Sequence, residues 1–385
     1  MADNGVIVNS NRIVEEFSRL VSFDTESFQE KKIAAYLKKR LTDLGLTVTE
    51  DNAGETLHTR YPGNTETASN LYAYLRGDTA GEPILFSSHM DTVSPGKGKR
   101  AILQEDGRIT SAGDTVLGAD DVSGLVSILE ALTVIREQKL SHPDIEVLFT
   151  VAEEPYCEGS KYVEYDRLKA KQGYVLDLTG PVGRAANAAP SILSVKVTVK
   201  GKAAHAGFAP EEGINALTIA AKALRQLPAG RVEEDLTVNF GVIRGGAGRN
   251  IVPERIELEG EIRSLDHRKA LLEAERMQKT FAETASEYGG SVEVKVTEHI
   301  RAYHVDAQSP AVKRFEAAVR ESGRCSGPEC ITTYGGSDAN RLNEHGIETI
   351  VLACAMENCH STEEYTTIEE LSRSAELTLR LMTLT

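Results

Sequence analysis

The chain is 385 residues long, 41% hydrophobic and 26% charged, with a formal net charge of −15 at pH 7. This length favours two structural units, and the composition excludes a disordered or fibrous protein. The negative charge argues against a nucleic-acid or anionic-membrane partner, because either surface would repel the protein. The sequence shows neither a signal-peptide pattern nor an apolar run of membrane-spanning length, so we expect a cytoplasmic protein.

Helices and short buried strands alternate in the first half of the sequence and again near its end. The expected elements are a helix from Asn9 or Ser10, a helix at 28–44, strands at 83–86, 145–151 and 174–176, a helix at 122–137, a helix at 339–344, a strand at 349–354, and a helix from 368 with Thr366 as its cap. This alternation predicts an α/β fold with a mixed, mostly parallel sheet and flanking helices.

The pattern changes in the middle of the sequence. Residues 193–200 alternate apolar and polar side chains, as a half-exposed antiparallel strand does. The elements that follow give the order β-α-β-β-α-β, which is the ferredoxin-like arrangement. We therefore predict a discontinuous first domain, 1–183 and 299–385, interrupted by an inserted α+β domain at 184–298.

Histidines and carboxylates follow the predicted strands and open one predicted helix. Ligands bind beyond the carboxyl ends of strands in open α/β sheets, so we expect these side chains to meet. Asp91 is close enough in sequence to His89 to fix the tautomer of its imidazole. The residues at these places are His89, Asp120, Glu153, Glu154, Asp177 and His360.

Carboxylates gathered at one sheet edge repel one another unless a cation lies among them. The two histidines supply the nitrogen ligands that zinc prefers. Two histidines with three of these carboxylates suit a pair of metal ions with one bridging carboxylate, at the separation of roughly 3.5–4 Å typical of two-metal hydrolases.

Five sequence blocks, in order, resemble one known family. They are Ser88-His-Met-Asp-Thr92, Gly118-Ala-Asp-Asp121, Ala152-Glu-Glu-Pro155, Gly201-Lys-Ala-Ala-His-Ala-Gly207 and Gly248-Arg-Asn-Ile-Val-Pro253. These blocks are similar to those of the dizinc metallopeptidase family that contains peptidase T, glutamate carboxypeptidase, aminoacylase and acetylornithine deacetylase. The resemblance covers most of the chain and implies a zinc-exopeptidase-like fold.

The resemblance also implies roles for the clustered residues. One zinc ion would be held by His89, Asp120 and Asp177, and the other by Asp120, Glu154 and His360. Asp120 would therefore bridge the two ions, for which Co²⁺ or Mn²⁺ could substitute. Glu153 corresponds to the general base that takes a proton from the water between the ions, and Asp91 corresponds to the residue that orients His89.

Three residues of the inserted domain also match family positions. His205 would stabilise the oxyanion, reaching the active site from the partner subunit of a homodimer, so the inserted domain would serve as a lid and a dimerisation domain. Asn250 and Arg263 match substrate-contacting positions. Arg263 could equally be an arginine on the face of a strand that forms a salt bridge.

The resemblance is greatest to the peptidase T-like group, which implies an aminotripeptidase that hydrolyses amide bonds of short peptides through a hydroxide bridging the metals. One alternative is a carboxypeptidase or an N-acyl amino acid amidohydrolase of the same family. An alternative from another class is a peptide-binding protein without catalytic activity. No expected ligand or base is missing from the sequence, which argues against that last alternative.

Overall fold

The computed structural model describes residues 8–323, 325 and 327–384. Within them the helices are α1 (Ser10–Val21), α2 (Lys31–Asp43), α3 (Ala53–Arg60), α4 (Ala119–Gln138), α5 (Ala216–Gln226), α6 (His267–Glu287), α7 (Pro310–Ser322), α8 (Asp338–Glu344) and α9 (Ile368–Thr383). The strands are β1 (Thr47–Glu50), β2 (Leu71–Leu75), β3 (Ile84–His89), β4 (Ala101–Leu103), β5 (Arg108–Ser111), β6 (Ile145–Thr150), β7 (Gln172–Leu178), β8 (Arg184–Ala189), β9 (Ser191–Lys200), β10 (Gly230–Glu233), β11 (Leu236–Gly245), β12 (Arg255–Ser264), β13 (Ser291–Ile300), β14 (Tyr303–His304), β15 (Glu329–Thr332), β16 (Glu348–Ala353) and β17 (Tyr365–Thr367). No described helix combines the length and the hydropathy that a membrane span needs.

The chain divides into two compact units. The second unit consists of Ala189–Tyr303 together with Tyr334–Gly336, and the other described residues form the first. The second unit thus begins about five residues later than the boundary expected at 184. The reason is that β8 belongs to the sheet of the first unit, where it pairs with β15 and β16.

The main sheet of the first unit is mixed and mostly parallel at its centre, as the sequence predicts. Its strand order is β1-β2-β6-β3-β7-β16-β8-β14, with β15 added on β8. The central strands β6, β3, β7 and β16 run parallel, whereas β2 and β8 run antiparallel to their central neighbours. Every residue of β3 and β6 is buried, as expected of parallel strands covered on both faces. A smaller sheet has the order β17-β5-β4.

Helix α4 brings a candidate ligand to this sheet. Its residues from Ala119 to Ile135 are all buried, and it packs against α1, α9, β3 and β7. A helix that is buried on all sides lies in the core, and here its first turn carries Asp120. The core therefore fixes this carboxylate beside the ends of β3 and β7.

Side-chain caps begin several helices. Asn9 caps α1 by accepting the N–H of Arg12, as the sequence indicates. Helix α9 is capped by Thr367, which accepts the N–H of Glu370, so the prediction of Thr366 as the cap is wrong by one residue. Thr366 is instead buried, in register with Ile109 of β5.

An ion pair between Arg12 and Glu130 stabilises the packing of α1 on α4. Nε and Nη2 of Arg12 lie 2.6 and 2.9 Å from the two carboxylate oxygens of Glu130, whose side chain is 2% exposed. We expect Arg12→Met to lower the free energy of unfolding by about 2–3 kcal/mol, because it leaves a buried carboxylate without its partner. As a control, Lys39→Met removes an ion pair with Asp43 that lies entirely on the surface, and it should lower the free energy of unfolding by less than about 0.5 kcal/mol. Equal losses for the two variants in urea unfolding would contradict this prediction.

The second unit is an antiparallel sheet with two helices in the order predicted from the sequence. Its strand order is β10-β11-β12-β9-β13, so the sheet has five strands rather than the expected four. The additional strand β10 forms a hairpin with β11 at one edge. Val195, Val197 and Val199 of β9 lie in one apolar core with Met277 and Phe281 of α6, which explains the alternation in the sequence.

Candidate metal centre

The candidate ligands converge on the carboxyl ends of three adjacent parallel strands. His89 is the last residue of β3, and Asp177 is the last but one of β7. The sequence places His89 just beyond its strand and Asp177 at the end of its own, so both strands are slightly longer than expected. Glu153 and Glu154 follow β6, which pairs with β3.

The imidazole of His89 is buried and has a contact on each nitrogen. Nε2 lies 2.9 Å from Oδ1 of Asp120 and 3.9 Å from Oδ1 of Asp177. Nδ1 lies 2.9 Å from the backbone oxygen of Asp91 and 3.5 Å from its carboxylate. A carbonyl at this distance accepts the Nδ1 proton, so Nε2 is the nitrogen that faces the carboxylates.

The two oxygens of the Asp120 carboxylate face different histidines. Oδ1 meets His89, while Oδ2 lies 3.2 Å from Nε2 of His360. His360 Nε2 is also 3.1 Å from Oε2 of Glu154. Asp120 is thus shared between two groups of side chains, which is the position that a bridging ligand requires.

Asp91 organises the loop that carries the two glutamates. Its carboxylate oxygens accept the backbone N–H groups of Glu153 and Glu154 at 2.9 and 3.3 Å, and one of them also accepts the Ser27 hydroxyl at 2.7 Å. The backbone oxygen of Asp91 meanwhile contacts His89. One residue therefore fixes both the first histidine and the glutamate pair.

Glu153 is buried beside the candidate ligands. Each of Glu153, His89 and Asp177 offers a ligand atom within 4.8 Å of the others. The thiol of Cys157 donates to Oε1 of Glu153 at 3.3 Å. Glu154 turns towards His360, so the two neighbouring glutamates face different partners.

Two further carboxylates, which no sequence pattern marks, hold the site together. Asp121 accepts the Ser88 hydroxyl at 2.5 Å and the N–H groups of His89 and Gly124. Glu364 accepts the N–H of Gly118 at 2.7 Å and that of Asp120 at 2.9 Å. Their nearness in sequence to Asp120 and His360 is the only local signal for either residue.

Gly118, in the turn before Asp120, adopts a left-handed φ of 79°. A Cβ there would lie 3.1 Å from Cγ2 of Thr92 and 3.2 Å from Cε of Lys99, whereas Gly107, with a φ of 85°, has open space around it. We expect Gly107→Ala to lower the free energy of unfolding by about 1 kcal/mol through its φ alone, and Gly118→Ala by a further 1–3 kcal/mol through crowding. Thermal unfolding of the two variants measures the difference, and equal losses would refute the crowding.

The charges of the cluster are poorly balanced by the protein alone. Burial raises the pKa of Asp177 and of Glu153 well above the usual range. Hydrogen bonds to Asp120 and Glu154 raise the pKa of His360 to about 10. Burial opposes the charging of His89, yet Asp120 and Asp91 outweigh it and hold its pKa well above the usual value. The cluster therefore favours added positive charge, which a divalent cation supplies.

The donor set fits zinc. Two ligands at 2.0–2.2 Å from a tetrahedral zinc ion are roughly 3.3–3.6 Å apart, close to the separations of 2.9–3.9 Å around His89 and His360. All the donors are imidazole nitrogens or carboxylate oxygens. In addition, Oε1 of Glu154 is buried without a hydrogen-bond partner.

The other three predicted site residues lie in the second unit. His205 is exposed, and its Nδ1 accepts the N–H groups of Gly207 and Phe208. Asn250 is close to it, because its backbone oxygen accepts the N–H of Ala206 at 2.9 Å.

Arg263 pairs with Glu261, at 2.9 Å from Nε and 3.1 Å from Nη2, and donates to the backbone oxygen of Tyr334. The strand-face salt bridge that the sequence left open is therefore present. A substrate carboxylate would have to compete with Glu261 for this guanidinium.

Known proteins resemble this chain over nearly its whole length. A peptidase dimerisation domain model matches residues 187–291, and a peptidase family M28 model matches residues 70–225. The uncharacterized protein YqjE of Bacillus subtilis is 38% identical over 98% of this chain and 99% of its own.

Two solved structures have the same fold and substantial sequence identity. A tripeptidase from Staphylococcus aureus subsp. aureus Mu50 has a TM-score of 0.93 at 34% identity, and the aminopeptidase PepT from Bacillus cereus ATCC 10987 has 0.89 at 39%. Each match covers 98% of this chain and 99% of the other. With identities this high over the full length, the chain belongs to the metallopeptidase family that includes peptidase T, aminoacylase and acetylornithine deacetylase, and it is a metallo-exopeptidase of the peptidase T-like group.

Proposed function

We propose that the protein is a dizinc aminotripeptidase that releases the first residue of short, unblocked peptides. The observation that carries this proposal is the position of Asp120, whose two carboxylate oxygens face His89 on one side and His360 on the other. This arrangement supports two adjacent metal positions that would share Asp120 as a ligand.

In this proposal His89, Asp120 and Asp177 would hold one zinc ion, and Asp120, Glu154 and His360 would hold the other. The contacts of His89 with Asp120 and Asp177 support the first set, and those of His360 with Asp120 and Glu154 support the second. Cobalt or manganese should substitute for zinc, because both accept imidazole and carboxylate ligands.

Bound zinc would lower the pKa of water towards neutrality and polarise the scissile carbonyl. Glu153 takes the proton of the attacking water and returns it to the leaving amine. Its buried position beside His89 and Asp177 supports this role, as does the Asp91 carboxylate, which fixes its backbone. The carbonyl of Asp91 keeps the His89 ring in one orientation.

The second unit would supply the remaining contacts. His205 donates to the developing oxyanion, and Asn250 and Arg263 bind the substrate. The exposure of His205 and its nearness to Asn250 support a common role for the two residues. Arg263 would exchange Glu261 for a substrate carboxylate.

A choice of substrates separates this proposal from its alternative, a carboxypeptidase or N-acyl amino acid amidohydrolase. The names of the tripeptidase and aminopeptidase relatives favour a substrate with a free α-amino group. We expect kcat/KM for an unblocked tripeptide to exceed that for its N-acetylated form by about 100-fold or more, because a site built for an amine rejects an analogue that lacks it. Faster hydrolysis of N-acyl amino acids would favour the alternative.

We also propose a homodimer in which the partner supplies His205 to each active site. The match to a dimerisation domain supports this assembly. Mixing inactive His205→Ala and Glu153→Ala proteins under conditions that exchange subunits should restore activity, because one site of each mixed dimer then has both residues intact. The matched control is each variant taken alone through the same exchange. A mixture that exchanges subunits and stays inactive would show that His205 does not act across the interface.

A further inference from the structure

Lys99 is a buried lysine close to the candidate metal centre. Its side chain is 1% exposed, and among the described residues no other lysine or arginine is classed as buried. Its ammonium donates to the hydroxyls of Thr25 and Thr92, each at 3.0 Å. Burial lowers the pKa of Lys99 to about 8. Taking an ammonium out of water costs several kcal/mol, so nearby groups must offset the cost of burying Lys99.

Lys99 lies between two segments that carry candidate site residues. On one side is Thr92, which follows Asp91 and whose N–H donates to the backbone oxygen of Thr25 at 2.8 Å. On the other side is Gly118, where a Cβ would come within 3.2 Å of Cε of Lys99. Gly118 is two residues from Asp120. The ammonium thus contacts the Asp91 segment through Thr92, and the aliphatic part of the lysine lies beside the turn that leads to Asp120.

The carboxylates that attract this ammonium also fix the backbone of the site. Asp24, Glu364, Glu26 and Asp91 all favour its charged form. Glu364 accepts the N–H groups of Gly118 and Asp120, and Asp91 accepts those of the glutamate pair. A single buried cation therefore balances carboxylates that are already used as hydrogen-bond acceptors at the centre.

We propose that Lys99 is a positioning residue for the metal centre: its buried ammonium holds Thr92, next to Asp91, while its aliphatic part lies beside the Gly118–Asp120 turn. It acts on the orientation of His89 through Thr92 and Asp91, and on the place of Asp120 through its charge, which faces the Glu364 carboxylate that binds the Gly118 and Asp120 N–H groups. This inference rests on the proposed function, because it concerns the same pair of metal positions.

The test compares metal affinity, stability and kinetics for the parent, Lys99→Met and Lys99→Gln. Met keeps the aliphatic packing, and Gln keeps hydrogen-bond donors without the charge. In both variants we expect the zinc dissociation constant, measured by chelator competition, to rise about 10–100-fold and kcat to fall about tenfold, while KM stays within about twofold. The metal-free variants should unfold within a few degrees of the metal-free parent, because replacing a buried charge by a neutral side chain is often harmless to folding.

Lys97→Met is the matched control, since this exposed lysine lies two residues away and loses the same charge. It should bind zinc as the parent does. Zinc affinity and kcat within about twofold of the parent in Lys99→Met or in Lys99→Gln would overturn the inference, because the charge would then be dispensable.

A second variant decides the matter if the Lys99 replacements do not fold. Thr25→Val removes one acceptor of the ammonium and should weaken zinc binding about threefold or more, whereas unchanged binding would overturn the inference. A parent protein that binds no zinc would refute the proposed function, and this inference with it. A parent that binds zinc beside variants that bind it equally well would refute this inference alone.

Discussion

Glu153→Ala is expected to lower kcat by about 10²–10⁴-fold while the protein keeps its fold and its metal ions. The reason is that Glu153 moves protons in the proposed mechanism and holds no metal. Its neighbour Glu154 contacts His360 and stays in place to serve as the ligand. The isosteric Glu153→Gln should behave in the same way, because it too lacks a group that can accept the proton. Activity assays together with elemental analysis of the purified variants measure both effects.

The control for this prediction is Glu363→Gln, an exposed glutamate close to His360 in sequence. It should retain the activity of the parent, which shows that the loss does not follow from removing any carboxylate of this region. Loss of metal together with activity in Glu153→Ala would reassign Glu153 as a ligand.

Asp120→Ala is expected to empty both metal positions and to abolish turnover. The carboxylate of Asp120 faces both histidines, so its removal takes a ligand from each proposed ion at once. The loss of a shared ligand should therefore exceed that in His360→Ala, which alters only one set. Metal content per chain and hydrolysis of an unblocked tripeptide are the two readouts.

Asp114→Ala serves as the control, because this exposed aspartate lies in the loop that precedes α4 and contributes to neither set. It should bind the same amount of metal as the parent. An Asp120→Ala protein that keeps one tightly bound ion and still turns over substrate would contradict the bridging role.

The fold could be predicted where local pattern and burial agree. The apolar run at 145–151 becomes β6, and the alternation at 193–200 becomes β9. The rule that ligands bind beyond the ends of parallel strands also predicts the meeting of His89, Glu154 and Asp177. The short strand β10 is not predicted, because its own sequence has little β character. It is a strand because it pairs with β11.

The sequence predicts that the proposed ligands cluster, but it does not reveal the residues that hold them in place. Glu364 and Lys99 are buried charged residues, and their contacts join positions far apart in the chain. No spacing or periodicity in a single sequence marks such residues, because they look like ordinary surface charges. For Arg263 the sequence allows either a contact with substrate or a salt bridge on the strand face. The structure shows the salt bridge, which is with Glu261.

The central claim is that hydrolysis requires two metal ions in each chain, and reconstitution of the metal-free protein tests it most directly. Chelator-treated protein, shown to be metal-free by elemental analysis, would be titrated with zinc while hydrolysis of an unblocked tripeptide and bound metal are measured together. We expect no activity before zinc is added, and an activity that rises to its maximum as two ions bind per chain. Full activity in the metal-free protein at neutral pH would contradict the account.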